Sequence, residues 1–142
     1  MATNLILRPN AGNQTDGQYP DSGYCWDKVD EVTPDYSETY LFSSLYASGG
    51  GSFGIRNHTY KEAGTINYIK VYILVRGDDT TNARQTIKIG GDEYTNSQHF
   101  PESGWGSFSH QWTTNPHTTS AWTWDDIDNL EIGVGLDKSL CT

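Results

Sequence analysis

Apolar and polar positions alternate with a period of two in short stretches along most of this chain, and no 3.6-residue apolar period lasts more than about two turns. The clearest stretch is GTINYIKVYILVRG (64–77). It predicts a strand with Ile69, Val71, Ile73 and Val75 on one face and Tyr68, Lys70, Tyr72 and Arg76 on the other. One face is suited to a core; the other is amphipathic. ARQTIKIGG and DEYTN predict a hairpin closed at Gly90-Gly91, preceded by a turn at DDTTN (78–82). GSFSHQWTT (106–114) places Phe108, His110 and Trp112 on one side, and EIGVGL (131–136) does the same for Ile132, Val134 and Leu136. Shorter extended segments are expected at NLILR (4–8), stopped by Pro9, at ETYLFSSLY (38–46), and at SFGIRNHTY (52–60) after the glycine run 49–51.

One helical turn interrupts the pattern. In TWDDIDNL, Thr123 is suited to the N-cap, and Asp125 and Asp126 fall in the first turn, where the helix dipole favours negative charge. Roughly seven to nine strands with a single short helix near the C-terminus predict an all-β chain, an antiparallel jelly-roll β-sandwich. No repeat or low-complexity linker divides the chain, so residues 1–142 read as one β-sandwich domain.

Composition sharpens this picture. Hydrophobic residues make up only 35% of the 142 positions but aromatics make up 13%, with nine Tyr and five Trp, so the core depends on rings, as β structure favours. A formal charge of −9 would repel phosphate backbones and anionic lipid, and no basic cluster reverses it locally. Nucleic acid and membrane are therefore not expected partners. The longest apolar run, YIKVYILV (68–75), contains Lys70 and falls far short of the ~20 residues of a spanning helix. The apolar part of MATNLILRPN is likewise too short for a signal peptide.

Candidate chemistry is sparse. Carboxylates cluster at Asp30 with Glu31, Asp78 with Asp79, Asp92 with Glu93, and Asp125, Asp126 and Asp128. None has the spacing of a self-contained calcium loop, so turn-forming and capping roles suffice for them. A structural calcium ion shared between two loops would draw on Asp30, Glu31, Asp78 and Asp79. No other cofactor is suggested. The four histidines, His58, His99, His110 and His117, lack zinc-site spacing, and no G-x-S-x-G elbow occurs, so no catalytic residue is assigned and an enzyme is not expected. Trp105, Trp112, Trp122 and Trp124 lie close together in sequence. They can fill the core; alternatively Trp105, Trp122 and Trp124 can stack on sugar rings, as in lectins and carbohydrate-binding modules. Cys25 and Cys141 are expected to form a disulfide closing a very long loop, worth roughly 4–5 kcal/mol in the chain-entropy model, with two buried thiols as the alternative. Asn13 and Asn57 begin glycosylation sequons.

The segments LILRPN, CWDKVDE with ETYLF, GTINYIKVYILVRG, TIKIGGDEY and above all WTTNPHTTSAWTWDDIDNLEIGVGL, taken in this order, span nearly the whole chain. Together they resemble a family of jelly-roll domains found among structural genes of tailed phages and environmental viruses. The resemblance implies a virion structural protein, a capsid-decoration or tail-associated subunit at the particle surface. Its partners would be other virion subunits or copies of itself in a homo-oligomer, with contact to cell-surface glycan. In similar proteins the segment matching SLCT is followed by one more strand, whereas this sequence stops there. Either that strand lies beyond this sequence, or it is absent and an open sheet edge is expected at Ile132, Val134 and Leu136, with assembly through it or through Asn4, Leu5, Ile6 and Leu7. Two other readings fit the same features: a carbohydrate-binding module, and an extracellular filament subunit that polymerises by strand addition.

Overall fold

The computed structural model describes residues 4–12, 17–19, 32–33, 35–36, 38, 40–42, 49–55, 64–77, 81–96 and 104–138. Within these residues the chain forms nine strands: β1 (Pro9–Gly12), β2 (Gly17–Tyr19), β3 (Tyr40–Phe42), β4 (Gly49–Ile55), β5 (Ile69–Gly77), β6 (Thr81–Ile89), β7 (Asp92–Thr95), β8 (Gly104–Trp112) and β9 (Glu131–Lys138). One short helix, α1 (Trp124–Asp128), precedes β9. All the pairings are antiparallel. The chain is thus all-β, with one short helix among the described residues.

The largest sheet has five strands in the order β1-β4-β9-β6-β7; β2 pairs with β3, and β5 with β8. The β6–β7 hairpin closes as its sequence predicts. Gly90 and Gly91 have φ of 61° and 95°, and two consecutive positive values are what a tight hairpin turn needs and side chains with a Cβ resist.

Among the described residues, a core draws on both the five-stranded sheet and the β5–β8 pair. Val71 of β5, Ile87 and Ile89 of β6, Trp112 of β8, and Trp122, Ile127 and Leu130 around α1 are buried together. Ile69, Ile73, Tyr94 and Ile132 pack against them. The strand periodicity explains this: Ile69, Val71 and Ile73 stand opposite Trp112, His110 and Phe108 across the β5–β8 ladder, so the rings and branched side chains line one inward face. His110 and Trp112 meet edge to face with centroids 4.4 Å apart, on the shared side that their alternation predicts.

Two expectations are corrected. Residues 4–8 form no strand; pairing begins at Pro9, where the sequence suggested it would stop. Proline lacks only the donor, and the first position of an edge strand tolerates that loss. The register then shifts between Pro9 and Ala11, a local irregularity on the same edge. The second correction concerns Ile132, Val134 and Leu136. They lie not on an open edge but on β9, which is paired to β4 on one side and β6 on the other. A period of two reports which face a side chain takes and carries no information about what lies beside the strand.

Candidate binding face

Alternation on β5 and β8 sends one set of side chains into the core and leaves the other set on an outer face. In register, that outer set pairs Lys70 with Gln111, Tyr72 with Ser109, Leu74 with Ser107, and Arg76 with Trp105. Tyr72 is 67% exposed, and Tyr68, just before the strand on the same side by parity, is 46% exposed. Lys70 Nζ sits 5.3 Å from the centroid of the Tyr72 ring, within cation–π range. At the far end Tyr36 packs edge to face on Trp105, centroids 5.8 Å apart, while remaining 50% exposed. Tyr36 has φ of 60°, a left-handed conformation that a bulky residue adopts only where its surroundings hold it. The face thus combines aromatic rings, hydroxyl and amide groups, and two cations. Chemically it can stack planar or ring-shaped ligands and hydrogen-bond to their substituents.

Of the tryptophans proposed for stacking, the structure brings only Trp105 to this face. Trp122 is buried to 4% exposure, and its indole Nε1 donates to the Trp112 carbonyl at 2.9 Å. It is a core residue and cannot reach a sugar. Trp124 is half-buried on α1, and its Nε1 donates to the Gly64 carbonyl at 3.2 Å, tying the helix to the segment leading into β5. The tyrosines of this face were not singled out as ligand-contacting residues from sequence. The signal was nevertheless present: Tyr68, Lys70, Tyr72 and Arg76 alternate with the core residues of the strongest strand.

A second constellation lies at the other end of β8. The loop after Trp112 is organised by Asn115, which is fully buried. Its Oδ1 accepts from the His117 amide at 2.9 Å and the Thr118 amide at 3.4 Å, while its backbone closes the loop with Ser120 and Thr119. His117 Nδ1 then lies 3.0 Å from the Tyr94 hydroxyl and 3.4 Å from an Asp92 oxygen, joining the loop to β7. Beyond it, Thr123 and Asp126 form a reciprocal capping box. The Asp126 amide donates to the Thr123 hydroxyl oxygen at 3.2 Å, and the Thr123 amide donates to the Asp126 carboxylate at 2.8 Å. Burial pushes the Asp126 carboxyl up, but hydrogen bonds from Thr123 and Asn115 and the charge of His117 outweigh it and hold the group below the usual carboxylate range. These contacts hold the loop and helix in place.

Several sequence candidates lie outside the described residues: Cys25 and Cys141, the carboxylates Asp30, Glu31, Asp78 and Asp79, the histidines His58 and His99, and the sequon residues Asn13 and Asn57. Among the described residues no three His, Cys, Asp or Glu side chains gather where they could hold a metal ion. No described helix is long and apolar enough to cross a membrane.

Comparison with protein-family models, with curated proteins and with solved structures finds no match. None of the three links the chain to the phage jelly-roll family, so the functional reading rests on the geometry and on the sequence segments themselves.

Proposed function

We propose that this chain is a jelly-roll β-sandwich acting as a non-enzymatic structural component of a viral or phage particle surface, in a capsid-decoration or tail-associated position. It works by presenting the outer β5–β8 face to what the particle meets. The observation that carries the reading is that face: exposed Tyr68 and Tyr72, with Trp105 and Tyr36 at the far end, ordered on a paired strand scaffold. Apolar side chains elsewhere on the surface, Leu5 at 45% and Ile6 at 73% exposure, suit attachment to another virion subunit or to a second copy.

Quantitative mass spectrometry of purified particles tests this. The chain should copurify at a fixed ratio to the major shell or tail protein through a density gradient. Absence from particles, with the protein found free in the medium, would overturn the structural assignment.

The same rings favour a second reading, a free-standing carbohydrate-binding module. Aromatic side chains on an exposed sheet face, with serine and glutamine beside them, are suited to stacking on sugars and bonding their hydroxyls. A protein absent from particles but retained on a glycan column would select that reading.

A further inference from the structure

We infer that the outer β5–β8 face binds an acidic oligosaccharide, a chain of sugars carrying carboxylates; the inference rests on the glycan-binding reading of this face. Charge is the first reason. The chain carries 18 acidic and 9 basic residues, yet the eight strand positions of the outer face include Lys70 and Arg76 and no carboxylate. Against a protein of formal charge −9, these eight positions carry two positive charges and no negative one, which suits a negatively charged ligand.

Spacing is the second reason. Lys70 and Arg76 lie on the same side of one strand three same-face steps apart, which at the rise of a β-strand is about 20 Å. Tyr72 and Leu74 lie between them, with Ser109 and Ser107 opposite. A single sugar would meet one cation only. An extended oligosaccharide would span both, its rings over Tyr72 and Trp105, its hydroxyls toward Ser107, Ser109 and Gln111, and its carboxylates on Lys70 and Arg76. Arg76 can take a carboxylate with two parallel hydrogen bonds. The pinned, left-handed Tyr36 against Trp105 gives the arginine end of the face a rigid aromatic edge.

A single-stranded nucleic acid also offers rings and negative charge. It suits this surface less well, because Ser107, Ser109 and Gln111 match ring hydroxyls, which sugars offer in greater number than nucleotides do. Uronic-type sugars carry more hydroxyls, in keeping with the hydroxyl and amide groups on β8.

The test uses the full chain and calorimetric titration with oligogalacturonate, oligoalginate and oligosialic acid. Each is paired with its carboxyl-reduced neutral counterpart, and a single-stranded DNA of equal charge is run alongside. At least one acidic oligosaccharide should bind on the order of tenfold tighter than its neutral counterpart, the size of one charge-assisted hydrogen bond. Lys70→Gln with Arg76→Gln should abolish that difference while leaving the thermal midpoint in place, and Tyr72→Ala should weaken both forms alike. Equal binding of acidic and neutral forms would overturn the inference and leave the glycan-binding reading standing. Binding of none of them would overturn both. DNA bound as tightly as the best saccharide would also overturn the inference, marking a general polyanion surface.

Discussion

At the scale of single residues, the hydrogen-bonding side chains of the loop and helix after β8 serve the architecture, and their energetics can be tested directly. Asp126 is held below the ordinary carboxylate range, so the capping box adds stability that is fully present above the unfolded value of 3.8 and is lost as pH falls through the lower folded value. Acid unfolding of the native chain and of Asp126→Asn should therefore differ most near neutral pH and converge in strong acid. A gap independent of pH would mean that the carboxylate's charge is not what the cap uses. Thr123, the N-cap, was readable from sequence because Ser, Thr, Asp and Asn before a run with early acidic residues carry a local signature. Trp122 was not, since an indole suits a core and a sugar equally well until its surroundings are known. Its burial and its bond to the Trp112 carbonyl decide the matter. Trp122→Phe should keep most of the packing but remove that buried bond, at a cost of about 0.5–1.5 kcal/mol in denaturant unfolding. Glycan binding, where present, should be unchanged by it, and a selective loss of binding with stability intact would return Trp122 to the ligand face.

At the scale of elements, face assignments were legible and neighbours were not. The β5 alternation, the Gly90-Gly91 hairpin and the helix start all follow from contacts within a few residues, and each stands where the pattern puts it. The position of β9 depends on β4 and β6, which come from distant parts of the chain, and no local pattern encodes that pairing. Part of the fit between β6 and β9 is visible at Gly135, opposite Arg84. A Cβ there would come within 2.9 Å of Arg84 Nε, so glycine lets the arginine side chain lie across the strand. Hydrogen exchange distinguishes an interior β9 from an edge. Amides of β9 and the β6 residues paired to it should exchange at least about tenfold more slowly than the outward amides of β1 and β7, because opening them disrupts the centre of the sheet. Exchange of β9 as fast as that of the outer strands would contradict its place between β4 and β6.

At the scale of the whole molecule, the question is whether the sheet edges recruit other copies. Among the described residues the five-stranded sheet ends on β1 and β7, and both are poor templates for strand addition. β1 is only four residues long, begins with a proline and carries a register shift. β7 is also four residues long, with exposed Asp92 and Glu93 among them. Short length, proline, irregular register and charge are the means by which natural edges avoid pairing, and a formal charge of −9 adds repulsion between copies at neutral pH. Through these two edges the isolated chain should therefore not recruit further copies in dilute solution at pH 7, with stable self-assembly confined to the particle. Light scattering should register association only as the pH approaches the isoelectric point expected from the sequence, about 4.6, where the net charge vanishes. Replacing Asp92 and Glu93 together by Thr removes the charges from the β7 edge and should raise the scattering at pH 7. A discrete oligomer of the unmodified chain at pH 7, insensitive to salt and unchanged by that double substitution, would show that copies meet through a surface other than these edges. Loss of such an oligomer in Tyr72→Ala would place the contact on the β5–β8 face, in competition with the ligand proposed for it.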